Sequence, residues 1–356
     1  MSTPQPPFTW RRNALVSITC AAVVGALLLA ACGGGGGGGS LTDRLLLERD
    51  TGIALLNLAT GNEQLLMSNP KEAFFVDPAV SPDGMRIAYA NRLAPFVEAD
   101  EPADLGADLY VAKIDGTSPE LLVKHSVANE ELRGPAWLPD GKSLLYVRQR
   151  IEVRSNQPFL VRSIERLDLT TKQSTEIVAS GFQPTVCSDG QRVAYVNDDF
   201  LVMTMWTVNI DGSNPQTIGG PDDGFSWLNS PRFSPDCDRL AFGGAEIPED
   251  QTSAQPAPRY AALRSATMSA SSATVAAYNG LPEDIWVLNV GSGEFMNVAD
   301  LDLDLPNLTW SGDGQRIFVL ASGGLFDVDP KGGSKNIGEG TFHGHVEWLD
   351  DGSAAP

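Results

Sequence analysis

The chain has 356 residues and a formal net charge of −20 at pH 7, from 45 acidic against 25 basic side chains. So acidic a chain is repelled by nucleic-acid backbones and by anionic lipid surfaces, which excludes both as electrostatic partners. Its length is too great for one small core unless a repeat supplies the architecture.

The N-terminus reads as a targeting segment. Arg11 and Arg12 give a positive start, Ala14 to Ala30 form an apolar run shorter than the ~20 residues a membrane span needs, and Leu29-Ala-Ala-Cys32 ends it. Leu-Ala-Ala-Cys resembles the lipobox of bacterial lipoproteins. That resemblance implies removal of residues 1–31 and lipid attachment at Cys32. Seven glycines, Gly33 to Gly39, follow the cysteine. Such a run holds no secondary structure, so residues 32–41 read as a flexible tether. Gly33, in the sorting rule of that family, implies the outer membrane. Without residues 1–31 the chain keeps 23 basic and 45 acidic residues, a net −22.

From residue 42 onward the chain repeats one word. It occurs as Ser81-Pro-Asp-Gly-Met-Arg-Ile-Ala-Tyr89, Leu138-Pro-Asp-Gly141, Cys187-Ser-Asp-Gly190, Ser234-Pro-Asp-Cys237, Ser311-Gly-Asp-Gly314 and a shortened Leu349-Asp-Asp-Gly352. Pro presets the first corner, Asp tolerates the second, and Gly accepts the left-handed geometry after them. Each copy joins two apolar, β-prone runs and reads as a hairpin. A second type of segment follows each word: Ile53–Leu58, Asp108–Ile114, Ile164–Leu169, Met205–Ile210, Asp284–Val290 and Gly324–Val328. The fold class expected is all-β, a six-bladed β-propeller with four antiparallel strands, A to D, per blade. Because the last word lacks a following strand, residues from about His345 to Trp348 are expected to close the ring beside N-terminal strands from about Leu45 to Met67. An arginine column, Arg44, Arg86, Arg192, Arg239 and Arg316, keeps the copies in register. Long connections are expected at about 244–282, rich in Ala, Ser and Pro, and at Glu98 to Asp104, both on the side away from the turn words. There they would hang over one channel mouth.

The word and the Asp108-Leu-Tyr-Val111 strand resemble the TolB-type, WD-like propeller repeat over about residues 42–352. The resemblance implies fold and is nearly silent on function, because that repeat serves envelope assembly factors, prolyl oligopeptidases and oligogalacturonate lyases alike. No Gly-x-Ser-x-Gly elbow, phosphate loop or Cys-x-x-Cys pair is present. His343 and His345 are two apart and point the same way on a strand. The word His343-Gly-His345 resembles the metal-binding His-Pro-His word of oligogalacturonate lyases. It departs from it at Gly344 in place of proline and at Gly340 where a glutamine ligand would stand. A satisfied strand histidine is expected, with a metal site as the alternative. Trp137, Trp310 and Trp348 share one repeat position and read as packing between blades. Trp227, outside that register on a Gly/Asp-rich connection, is the tryptophan expected to meet a ligand. Cys187 and Cys237 stand in neighbouring turn words, and Cys237 takes the position of glycine elsewhere. A disulfide in an oxidising compartment is expected to offset that departure.

The reading is a lipid-anchored envelope propeller, monomeric, without cofactor, that acts as a non-enzymatic protein-binding or scaffold module through its channel mouth. The alternatives are a polysaccharide-active enzyme resembling oligogalacturonate lyase, and a peptidoglycan-binding module.

Overall fold

A computed structural model describes residues 43–93, 104–199, 202–247, 282–339 and 344–349. The chain divides into a unit Met1–Gly38, outside the described residues, and a unit Gly39–Pro356 that holds all of them. Cys32, the glycine run and His343 thus lie outside the described residues.

The described residues are almost wholly strand, in antiparallel groups of four. The chain opens with β1 (Arg44–Arg49), β2 (Gly52–Asn57) and β3 (Glu63–Ser68). A second group is β4 (Ala73–Val80), β5 (Arg86–Leu93), β6 (Ala107–Lys113) and β7 (Glu120–Val123). Next come β8 (Glu131–Trp137), β9 (Ser143–Arg154), β10 (Gln157–Asp168) and β11 (Gln173–Val178). One parallel bridge, Ala107 to Glu131, joins these two groups into a single sheet. The fourth holds β12 (Phe182–Val186), β13 (Arg192–Asp199), β14 (Val202–Asn209) and β15 (Gln216–Gly219). A 3₁₀ turn, Pro221–Asp223, leads to β16 (Phe225–Phe233), β17 (Arg239–Glu246), β18 (Glu283–Asn289) and β19 (Phe295–Leu303). Then follow β20 (Asn307–Trp310), β21 (Ile317–Ala321), β22 (Gly324–Val328) and β23 (Ser334–Gly338). The last strand, β24 (Val346–Leu349), pairs with β1 from Val346 against Leu47 to Leu349 against Arg44.

The second strand of each group reads as a continuous apolar run because both its faces are covered. In β1, Leu45 and Leu47 pack with Phe318 and Leu320, while Leu46 points the other way onto Ile87 and Tyr89. In β9, Leu144 and Tyr146 meet Ala88 and Leu109, and Leu145 and Val147 meet Val193 and Tyr195. Side chains alternate across a strand, so a sheet stacked between two neighbours buries both sets. Each fully buried Leu, Ile or Phe contributes about 1.5–3 kcal/mol.

The repeated word forms the turn between the first two strands. Ser81 N–H donates to Arg86 O at 2.9 Å, and Gly84 N–H donates to Ser81 O at 2.8 Å. Asp83 Oδ1 accepts from Met85 N–H at 3.0 Å and from the Ser81 hydroxyl at 2.5 Å. These bonds stabilise the charged carboxylate and hold Asp83 below the usual range. The fourth position is left-handed in every described copy, with φ +67° at Gly84, +62° at Gly141, +68° at Gly190, +65° at Gly314 and +63° at Cys237. Two arginines of the column fasten neighbouring groups. Arg86 lies 4.5 Å from the Trp137 ring and donates to Gly141 O at 2.9 Å. Arg239 does the same over Trp310 at 4.7 Å, reaching Gly314 O at 3.0 Å.

Three expectations need correction. The third group carries an extension that the sequence reading missed. There β9 and β10 pair from Ser143–Asp168 out to Arg154–Gln157, turning at Ser155 and Asn156 with φ +51° and +60°. Ser-Asn supplies that corner without the glycine that usually marks it. The connection expected from 244 starts later, because β17 runs through Glu246; residues 248–281 lie outside the described residues. Trp227 is not on a connection but within β16, opposite Ala245.

Candidate functional site

Four of the first strands, β4, β8, β12 and β16, share a second word that the sequence reading did not isolate, X-Pro-x-aromatic or X-Pro-x-Val, just before the turn. Its copies are Asp77-Pro-Ala-Val80, Gly134-Pro-Ala-Trp137, Gln183-Pro-Thr-Val186 and Ser230-Pro-Arg-Phe233. X is left-handed each time, with φ +52° at Asp77, +57° at Gly134, +52° at Gln183 and +49° at Ser230. The ladder slips at each of these places. Proline donates no N–H and settles in bulges, and a bulge re-aims the neighbouring side chains. A left-handed residue with a Cβ costs roughly 1 kcal/mol. The copies use that bend to bond one group to the next. Gly134 N–H donates to Asp77 Oδ2 at 3.1 Å, and Ser230 N–H donates to Gln183 Oε1 at 2.9 Å.

These residues bound a cavity of about 560 Å³. Its polar wall includes Asp77, Arg133, Gln183, Arg232, His345 and Glu347, and its apolar wall includes Trp137, Phe233, Trp310 and Trp348. Pro82, Pro139, Ser188, Pro235 and Gly312 of the turn words line it too. The cavity therefore reaches the turn-word side; the long connections expected over one channel mouth fall largely outside the described residues. The tryptophan column packs between groups as expected and also forms cavity wall. Trp137 Nε1–H donates to Ala79 O at 3.1 Å, and Trp310 Nε1–H donates to Arg232 O at 2.9 Å. Trp227 is absent from the lining.

Arg133 grips Asp77 with both arms of its fork, at 2.8 and 3.0 Å. Burial works to raise the Asp77 carboxyl, but the Arg133 charge and its hydrogen bonds outweigh it and hold the group at about 2. Glu48 shows the opposite balance. Burial, and then the Asp77 charge, push its carboxyl up to about 8, while its Oε2 accepts from Asp77 N–H at 2.8 Å. Between the ordinary carboxyl range and pH 8, folding therefore retains a proton that the unfolded chain releases. Stability must fall as pH rises through that window. Glu48→Gln keeps an acceptor for Asp77 N–H and removes the titration. Its melting temperature should change less than that of wild type between pH 5 and pH 9. Parallel melting profiles would rule out an uncharged Glu48 at neutral pH.

His345 is buried at the entry to β24, and its Nε2 stands between two claims. Arg232 Nη2 is 2.9 Å away and Glu347 Oε1 is 2.8 Å away. One ring nitrogen carries either a proton or a lone pair, so it can satisfy only one of them. Arg232 also donates through Nη1 to Pro231 O at 3.1 Å, while Glu347 stays 3.8 Å distant. Burial lowers the pKa of the Arg232 guanidinium, against the pull of Glu347 and Asp77. Elsewhere, Cys187 and Cys237 are bonded to each other with Cα atoms 5.5 Å apart.

No protein-family model and no curated protein matches the chain in sequence. Solved structures do resemble it. One is a protein of the nidogen/laminin complex, with TM-score 0.59 and 10% identity over 86% of this chain and 98% of the other. TolB from Acinetobacter baumannii gives TM-score 0.54 and 14% identity over 86% of this chain and 66% of its own. Oligogalacturonate lyase in complex with manganese gives 0.51 and 17% over 81% and 70%. At such identities the likeness speaks for fold alone: the described unit is an all-β, TolB-like propeller.

Proposed function

We propose that the chain is a lipid-anchored envelope propeller whose cavity receives a segment of a partner protein, acting as a binding or scaffold module without catalysis. In this reading the four-stranded groups are six blades, and the β24–β1 pairing closes the ring. The observation that carries it is the cavity itself: the bulged first strands converge on one wall, polar within and lined with Pro, Trp and Phe. Such a mixture suits an extended polypeptide, because aromatic rings bury apolar side chains while fixed amides and ion pairs meet the backbone. Cys32 would carry the lipid, and the glycine run would let the domain clear the headgroups. The rival reading is a polysaccharide-active enzyme, which the presence of His345 in the cavity wall keeps open.

One envelope experiment tests the reading. A photo-crosslinking residue at Gly312, on the cavity wall, should capture a discrete protein in intact cells, while the same residue at Lys335, on β23, should not. Wild type should incorporate a palmitate analogue, and Cys32→Ser should not. Equal capture from both sites would reject the cavity as the binding site. Absence of label in wild type would reject the anchor. Turnover of oligogalacturonate by the purified domain would favour the rival.

A further inference from the structure

The β9–β10 extension is a two-stranded ribbon that outruns its own sheet. Pairing of β8 with β9 ends at Glu131 against Gln149, and pairing of β10 with β11 ends at Ile164 against Val178. Beyond those points the ribbon has no third strand on either side among the described residues. Its two faces differ. Ile151 lies opposite Leu160 and Val153 opposite Pro158, and these aliphatic side chains stand in solvent, with Ile151 60%, Val153 71% and Leu160 44% exposed. Arg150, Glu152 and Arg154 alternate with them onto the other face. Both arginines donate to Glu152, through Nε at 3.1 and 3.2 Å and through Nη2 at 2.8 and 2.7 Å. Exposed pairs of this kind add little stability and rearrange readily. From Arg148 to Ser163 the ribbon carries four arginines against one glutamate, in a chain of net charge −20. The two edges are not equally open. Pro158 withholds an N–H from β10, and Arg162 ties that strand to the next group, lying 4.4 Å from the Phe182 ring and donating to Asp198 at 3.2 Å. The edge of β9 from Arg150 to Arg154 has no such guard. It begins beside Gln149, which lines the cavity.

We infer that the β9 edge takes up an extended strand of a partner protein in which apolar and acidic residues alternate. A row of backbone donors and acceptors calls for another strand, whose main chain supplies the matching row. Cross-strand neighbours then fix the side chains: apolar residues of the partner lie beside Ile151 and Val153, and its acidic residues lie beside Arg150 and Arg154. A second copy of this chain fits poorly. Antiparallel self-pairing centred on Glu152 would set that carboxylate against itself and Arg150 against Arg154, and like charges directly opposite are destabilising. A lipid surface fits poorly too, since hydrocarbon cannot satisfy the open backbone groups. Because the edge starts at the cavity wall, a segment seated in the cavity can continue along it. The inference deepens the protein-binding reading and rests on it.

The test uses the whole domain and N-acetylated octapeptide amides that alternate valine with glutamate or valine with lysine. Calorimetry should show the glutamate peptide binding at least tenfold more tightly than the lysine peptide. A strand pairs through one edge, so methylating alternate backbone amides of the glutamate peptide should abolish binding in one phase and spare it in the other. Arg150→Glu with Arg154→Glu should invert the preference. Deleting residues 151–154 and 157–160 brings the Ser155-Asn156 turn onto the paired Arg150 and Val161. That shortened domain should keep its melting temperature and lose the peptide. Equal binding of both peptides by wild type, or binding indifferent to methylation in either phase, would overturn the inference, and neither comparison needs a variant to fold. No binding by either octapeptide would overturn the strand site alone, because photo-capture from Gly312 tests the cavity separately. Adsorption to phosphatidylglycerol vesicles in place of peptide binding would assign the ribbon to a membrane surface, and a dimer in sedimentation lost on shortening would assign it to a second copy. Either result would overturn the inference.

Discussion

Removal of residues 345–356 should destabilise the whole domain, not only its C-terminal end. The deletion takes away β24, which pairs with β1 over Val346 to Leu349 and contributes Val346 and Leu349 to the core, both essentially inaccessible. The loss would not stay local. Val346 packs with Leu45 and Leu47 of β1 and with Phe318 and Leu320 of β21, so the cluster it leaves spans two groups. Burial of two such side chains contributes roughly 3–6 kcal/mol, against a total domain stability of about 5–15 kcal/mol. The β1 edge would also lose its partner, inviting edge-to-edge association. The expected result is a fall in melting temperature of about 10 °C or more, with a single transition and a tendency to aggregate. A truncated chain that melts like wild type would show that the four-stranded groups do not depend on this closure.

Legibility followed the range of the interaction that fixes each feature. The turn word needs only its own residues: Ser81, Asp83 and Gly84 bond to one another and to Met85 and Arg86. The register of the arginine column was readable for the same reason, but not its use, since Arg86 meets Gly141 of the next group, 55 positions away. The cavity was the least legible part. Asp77 meets Arg133 at a separation of 56 residues, and Arg232 meets His345 at 113. A signal for this wall did exist, in the proline three residues before four of the turn words. It reads as punctuation until the bulge it permits is seen. Trp227 misled because the glycine and aspartates before it suggested a loop, yet pairing with β17 draws it into a strand. The β9–β10 extension was hidden by ordinary alternation, which does not reveal where a hairpin ends.

Loss of the Cys187–Cys237 bond should be the costliest single change in the turn words. The two residues are 50 apart in sequence, and their Cα atoms at 5.5 Å lie within the range a disulfide spans. Closing a loop of that length contributes about 4 kcal/mol in the chain-entropy model. Local structure explains why a covalent link belongs at this seam. Arg86 and Arg239 fasten their groups to the next by donating to the glycine carbonyl of the neighbouring turn word. Arg192 instead turns to its own Asp189 at 3.1 Å and to Cys187 Sγ at 3.5 Å. Only that carbonyl contact is missing here, since Arg192 still lies 5.9 Å from the Phe233 ring of the next group, and the bond is assisted by the Ser188 hydroxyl, which donates to Pro235 O at 2.7 Å. Cys237 keeps the left-handed φ of +63° that glycine holds in the other copies, at a cost of roughly 1 kcal/mol. Two substitutions therefore separate the effects. Cys187→Ala with Cys237→Ala should lower unfolding stability by about 4 kcal/mol. Cys187→Ala with Cys237→Gly should lower it by about 1 kcal/mol less, since glycine removes the strain with the bond. Denaturant unfolding reads both, and a thiol count on oxidised protein from the envelope should find Cys187 and Cys237 unreactive. Two free thiols there, or an unfolding midpoint unchanged by reductant, would mean that this seam is held by packing alone.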